Sequence, residues 1–137
     1  MTLKVVHINQ NFISQWWPNV EEYIQAANEF GGDDYTLDQI KVYLTNGSWI
    51  LLVALDAEEK VHGSATVSFM NYPNDRVAFI TFMGGKLITN QDTYKQMANI
   101  FKSYGATKIQ GASRPAAVRL WKRYGLQERY TIVEVKI

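Results

Sequence analysis

Three strand-like segments follow one another between Trp49 and Met83, and this crowding constrains the fold more than any other feature. Trp49–Leu55 is an unbroken apolar run with β-branched content. Val61–Phe69 alternates, with Val61, Gly63, Ala65, Val67 and Phe69 on one side and His62, Ser64, Thr66 and Ser68 on the other. That period of two marks a half-buried strand. Asp56–Lys60 reads as a charged hairpin loop and Tyr72-Pro73-Asn74-Asp75 as a turn. Val77–Met83 is apolar on both faces, which predicts a central strand. Segments this close in sequence can only pair antiparallel.

Helical patterns flank this block. Before it, Leu3–Ile8 reads as a first strand, and a helix is expected to open near Trp16-Trp17-Pro18, with proline at the first helical position. Val20, Ile24 and Ala27 give its apolar stripe and Gly31-Gly32 its stop. A second helix starts at Thr36, where Thr36 and Gln39 fit a capping box, buries Leu37, Ile40 and Leu44, and ends at Asn46-Gly47. After the block, Asn90–Tyr104 carries Tyr94, Met97, Ala98 and Phe101 at helical spacing, with Gly105 as its stop. Lys108–Ala112 is a short strand. Pro115–Tyr124 is a last helix, with Ala117, Leu120, Trp121 and Tyr124 on one face and Gly125 at its end. Thr131–Ile137 alternates again and reads as a last strand. The order is β-α-α-β-β-β-α-β-α-β, an α/β chain with an α+β mixed sheet covered by helices.

At 137 residues the chain is one domain, 1–137, long enough to bury a core without staples. Six Phe, four Trp and eight Tyr exclude a disordered polymer. The absence of cysteine excludes a disulfide framework, a cysteine zinc site and a thiol nucleophile. His7 and His62 stand far apart and form no HExxH, so no metal is expected. There is no signal peptide, and no apolar run near the roughly 20 residues of a membrane span. The expectation is therefore a cytoplasmic protein without a membrane partner. The net charge of +1 hides an asymmetry. Residues 1–99 carry six Lys/Arg and eleven Asp/Glu, and residues 100–137 carry eight Lys/Arg and two Asp/Glu, giving −5 and +6. Such a split suits an anionic partner at the basic end.

The element order resembles the GCN5-related N-acetyltransferase (GNAT) superfamily over essentially the whole chain. The most specific piece is Arg114-Pro-Ala-Ala117-Val-Arg-Leu120-Trp121-Lys-Arg-Tyr124-Gly125-Leu126. It is similar to the last helix of that family, which typically reads Asn-x-x-Ala-x-x-Leu-Tyr-x-x-x-Gly-Phe. Ala117, Leu120 and Gly125 match, and Leu126 stands for the Phe. In look the chain is closest to small GNAT-like proteins of tailed bacteriophages, through Gly84-Gly85, Tyr104-Gly105-Ala106 and the Arg-Leu-Trp-Lys-Arg-Tyr-Gly helix. For a phage protein the location would be the host cytoplasm or the virion.

The resemblance implies acetyl-CoA as cofactor, lying between the fourth and fifth strands. Phe82 and Met83 would orient it. Gly84, Gly85 and Lys86 would meet its pyrophosphate, with Arg114 and Trp121 nearby. The family's Gln/Arg-x-x-Gly-x-Gly/Ala phosphate loop is missing from Met83–Asp92, where Thr89 or Asn90 is the expected helix cap and Asp92 lies in the first turn. Trp121 occupies the place of a tyrosine that protonates the leaving thiolate in many members, and an indole cannot give up a proton at neutral pH. Tyr124, one turn on, and Asp75, before the fourth strand, are the remaining acid and base candidates. Glu21, Glu22, Asp33 and Asp34 lie where acceptor amines enter in that family. Arg119, Lys122 and Arg123 add to the basic end, either as a phosphate or partner surface or as a solvated helix face. Nucleic acid is disfavoured, since the net charge is small and no aromatic residues interleave with the basic ones.

Two functions are compatible with these residues. One is an acyl-CoA-dependent N-acetyltransferase acting by direct attack on an unidentified amine, carried by a small molecule or a protein. The other is a non-catalytic phage virion or morphogenesis protein that binds a protein partner. The acceptor, the oligomeric state and the role of Trp16 and Trp17 are left open by the sequence.

Overall fold

The computed structural model describes residues 2–31, 34–87 and 90–137. In chain order it runs β1 (Lys4–Ile8), a 3-10 turn (Gln10–Phe12), α1 (Ile13–Asn28), α2 (Leu37–Thr45), β2 (Trp49–Leu55), β3 (Val61–Asn71) and β4 (Arg76–Gly85). It continues through α3 (Gln91–Ser103), β5 (Lys108–Gly111) and α4 (Pro115–Lys122). The five strands lie in the order β1-β2-β3-β4-β5. The first four pair antiparallel and β5 joins β4 in parallel. This is the expected mixed sheet, and the parallel step comes where α3 supplies the long crossover it needs.

The helices cover both faces. On one, Met97 and Phe101 of α3 and Trp121 of α4 pack on Val5, Leu52, Ala65, Val67, Ala78 and Ile80. On the other, Trp17, Val20 and Ile24 of α1 and Ile40 and Leu44 of α2 pack on Ile8, Leu51, Val53 and Phe82. Trp17 is thus a core residue, and the half-buried Trp16 packs beside it.

Local chemistry sets the boundaries. Thr36 and Gln39 form the expected capping box at 3.2 and 2.9 Å. Asn90 caps α3, its side chain accepting from Thr93 N–H at 3.0 Å. Gly105 and Gly125 take φ values of +84° and +93°, the left-handed turn that ends a helix. At the sheet's first edge the Gln96 side chain of α3 acts as a surrogate strand. Its Oε1 accepts from Val5 N–H at 2.8 Å and its Nε2 donates to Leu3 C=O at 3.0 Å. Unpaired edge groups are satisfied in this way.

Two expectations are corrected. Helix α1 opens at Ile13, not at the tryptophan pair, so Pro18 is inside the helix. A 3-10 turn capped by Asn9, whose side chain accepts from Asn11 N–H at 2.8 Å, starts the helical path early. The loss of one N–H at Pro18 is outweighed by the burial of Ile13 and Trp17. The second correction is Thr131–Ile137, which is no strand: alternation supplies a side-chain pattern, but a strand also needs a backbone partner, and this segment pairs with no strand among the described residues. Ile132, Val133, Val135 and Ile137 are 78%, 87%, 82% and 119% exposed.

Candidate functional site

The feature that stands out is the divergence of β4 and β5. They pair only from Val77↔Lys108 to Ile80↔Gly111. β4 runs on to Gly85, still bonded to β3 on its other side through Phe82↔Thr66, Met83↔Ala65, Gly84↔Ser64 and Gly85↔Gly63. Among the described residues, no strand faces the outer edge of Thr81–Gly85, so a splay opens there.

A β-bulge marks the point of divergence. Val67 pairs with Ile80 and Thr66 with Phe82, leaving Thr81 as the extra residue. Its effect on the side chains is visible in the two cores. Before the bulge, Ala78 and Ile80 face α3 and α4. After it, Phe82 faces α1 and α2, while Met83 packs on the α3 side. Thr81 Oγ1 donates to Thr66 C=O at 2.9 Å and lies 2.6 Å from the Thr66 hydroxyl. Thr66 is fully buried, so the two hydroxyls must satisfy each other. Neither threonine stands out in the sequence, because Val77–Met83 shows no alternation in which an extra residue would be noticed.

The stretch Gly84–Leu87 is packed tightly. A Cβ on Gly84 would lie 2.3 Å from Tyr23 C=O of α1, and one on Gly85 (φ +71°) would lie 2.5 Å from His62 C=O. These glycines thus allow β4 to end against α1, a packing reason independent of any ligand. Lys86 N–H donates to His62 C=O at 2.8 Å while its side chain is exposed. Thr89 and Asp33 lie outside the described residues. At Asn90 the capping box already uses first-turn N–H groups.

On the α1 side of the splay, Phe82 sits in an aromatic cluster with Tyr35, Trp49 and Tyr43, ring centres 4.8–6.4 Å apart. Asn28 belongs to the same corner. Its Nδ2 donates to Tyr35 C=O at 3.0 Å, while its buried Oδ1 has no donor among the described residues. Arg114, the residue before α4, places its guanidinium 4.0 Å over the Phe30 ring, linking the start of α4 to the end of α1. Glu21 and Glu22, midway along α1, and Asp34 are exposed.

The other candidates lie elsewhere. Trp121 is buried in the α3-side core. Tyr124 is half-buried and stacks on Tyr94 at 5.0 Å, roughly 15 Å along the helix from Arg114. Arg119 and Arg123 are exposed, and Lys122 approaches Glu128 at 3.9 Å. Asp75 stands at the opposite end of β4 from the splay, about 20 Å from Thr81 at strand rise. It pairs with Lys108 Nζ at 3.0 Å and accepts from Thr107 Oγ1 at 2.9 Å. The Lys108 bond, then the Thr107 bond, hold its carboxyl below the usual carboxylate range. His62, on the polar side of β3, is held by Asp56, Nε2 to Oδ2 at 2.7 Å. That bond first, then the Lys60 backbone, lowers the Asp56 carboxyl. No group of three or more metal-ligating side chains occurs among the described residues. No helix among them is long and apolar enough to cross a membrane.

No sequence family matches the chain, and no curated protein does. Solved structures do match. A predicted acetyltransferase of Clostridium acetobutylicum, crystallised with acetyl-CoA, is 15% identical, with a TM-score of 0.65 over 98% of this chain and 96% of its own. The chain has the acetyltransferase fold. An aminoglycoside acetyltransferase from a soil metagenome is 14% identical, with a TM-score of 0.70 over 100% of this chain and 99% of its own. A second one, solved with sisomicin, is 13% identical, with a TM-score of 0.69 over 98% and 95%. The acetyltransferase fold thus covers this chain from end to end, as the GNAT-like order of elements predicts.

Proposed function

We propose that this protein is an acyl-CoA-dependent N-acyltransferase whose acceptor is an amine on a small molecule. The observation that carries the reading is the splay opened at the Thr81 bulge. The outer edge of Thr81–Gly85 has backbone donors and acceptors with no strand against them among the described residues, which suits the amide-bearing arm of acetyl-CoA. When bound, acetyl-CoA supplies an activated acyl thioester. Thr81–Met83 would align its arm as an added strand does, Lys86 would meet its phosphates, and Arg114 would add charge across the mouth. The acceptor would enter from the α1 side, past Glu21, Glu22 and Asp34, against Phe82 and Tyr35, with Asn28 Oδ1 as an acceptor for its N–H. Neighbours of this fold that hold acetyl-CoA and an aminoglycoside support both halves of the reading.

Among the described residues no paired acid and base line the splay. Positioning and exclusion of water would therefore carry the rate, and a suitably held amine gains several orders of magnitude from orientation alone. The second reading, a non-catalytic protein that binds a protein partner in a phage assembly, draws on two observations: Asn90 already caps α3, and Trp121 is buried in the core.

A thermal-shift titration with CoA and acetyl-CoA tests the choice. A ligand at one hundred times its Kd adds about 2.7 kcal/mol to stability, a shift of several degrees for a chain of this size. The shift should shrink strongly in Lys86→Glu. Absence of any shift at millimolar CoA leaves the binding-protein reading.

A further inference from the structure

Two groups with bonding capacity to spare, one a donor and one an acceptor, stand at the end of α1. The donor is the Arg114 guanidinium, 4.0 Å over the Phe30 ring. A guanidinium seated on a ring through its face keeps its in-plane N–H groups for another partner. Among the described residues no carboxylate forms an ion pair with it. Phe30 is 66% exposed and Arg114 is exposed as well, so the stack is open to solvent. The acceptor is Asn28 Oδ1. The bond from Asn28 Nδ2 to Tyr35 C=O sets the amide's orientation, since a flipped amide would put oxygen against oxygen. Oδ1 is buried and has no donor among the described residues.

Gly31 ties this corner to the splay. A Cβ there would lie 3.0 Å from the Phe82 ring and 3.4 Å from Asn28 Oδ1. The bare backbone thus brings the end of α1 onto Phe82, the first residue past the bulge. Lys86 stands four residues further on, about 13 Å at strand rise. The Phe30 stack therefore keeps the guanidinium toward the α1 end of the mouth, away from the place proposed for the cofactor's phosphates.

We propose that the acceptor is a small amine that also carries a carboxylate, as an amino acid does. This rests on the acyltransferase reading and narrows it. Arg114 holds the carboxylate through two parallel N–H bonds, the geometry in which a guanidinium binds a carboxylate best. Asn28 Oδ1 accepts from the amine. An amine without the carboxylate leaves the guanidinium unpaired, and an acceptor with further cations is repelled by it, so the corner selects against both. The transfer balances: the amine nitrogen bonds the acyl carbon as the C–S bond breaks, the electron pair leaves with sulfur, and the proton lost by nitrogen converts that thiolate to the thiol.

Thiol release from acetyl-CoA is measured with paired amines that differ in the carboxylate: glycine and methylamine, β-alanine and ethylamine, L-phenylalanine and phenethylamine. In at least one pair the carboxylated member should be favoured roughly tenfold or more in kcat/KM. Arg114→Gln should reduce that ratio to what amine basicity alone sets, mainly through KM. Arg114→Lys should restore only part of it, since an ammonium lacks the paired N–H groups. The thermal shift with CoA should be the same in Arg114→Gln as in the parent. If CoA binds but no pair favours the carboxylate, or the ratio survives Arg114→Gln, the inference is overturned and the acyltransferase reading stands. A CoA shift lost in Arg114→Gln also overturns it, by assigning the guanidinium to the cofactor's phosphates. No CoA shift in the parent removes the acyltransferase reading, and this inference with it.

Discussion

Thr81 illustrates how a single hydroxyl can hold a backbone irregularity in place. Its bond to Thr66 C=O and its contact with the buried Thr66 hydroxyl fix the bulge that turns Phe82 away from Ile80. Thr81→Val keeps the shape and removes the hydroxyl, leaving the Thr66 hydroxyl buried without its partner. The expected loss is about 1–3 kcal/mol in urea unfolding, with Thr81→Ser recovering most of it. A Thr81→Val variant as stable as the parent would mean that the bulge is held by other groups. Gly84 makes the companion case. Alanine there places a methyl against Tyr23 backbone, which cannot yield as a flexible side chain would. Gly84→Ala should cost roughly 1–3 kcal/mol, read by the same unfolding experiment. The sequence shows the glycine pair but not its reason, because Tyr23 is about sixty positions away and only the tertiary fold brings it there.

At the scale of elements, legibility follows from whether the signal is local. Thr36 with Gln39, and Asn90 at the head of α3, are recognised because a capping box closes within four residues. Asn90→Ala should cost about 1 kcal/mol, checked by thermal or urea unfolding. The strands β2, β3 and β4 are legible from period and composition. The bulge, the Gln96 surrogate strand and the splay are not, since each depends on a partner distant in sequence. The last segment shows the opposite error: its alternation is local and real, but pairing is not a local property. Asp75 belongs here too, because it ties the β3–β4 turn to β5 through Lys108 and Thr107. Its carboxyl is depressed in the folded chain, so its contribution is present above the unfolded value near 3.8 and is lost as pH falls through the lower folded value. Asp75→Asn should therefore be less stable than the parent at pH 7, and the difference should shrink as pH drops below about 3.8, in paired denaturation curves at each pH.

For the whole molecule, the +1 net charge conceals a division that the fold makes spatial. The acidic residues 1–99 supply α1, α2 and the first four strands, and the basic residues 100–137 supply most of the wall around β5 and α4. Part of that basic charge is already engaged, Lys108 by Asp75 and Arg114 by the Phe30 ring. Arg119 and Arg123 are exposed. The resolved pKa shifts also act in concert. Burial lowers His7, so between its folded value and about 6.5 the unfolded chain binds more protons and stability falls as pH falls. Asp56 and Asp75, both depressed, have the same sign below about 3.8. Burial raises Tyr104, whose hydroxyl lies 3.0 Å from His7 Nδ1, so above about 10 the unfolded chain loses its proton first and stability falls as pH rises. Stability measured by urea unfolding across pH should thus be flat between about 7 and 10 and decline on the acid side in two separate steps. His7→Gln should abolish the step near pH 6.5 while leaving the one below pH 4. If the variant retains the upper step, some other group carries it, and the half-buried His7–Tyr104 pair is not the pH-sensitive element of this fold.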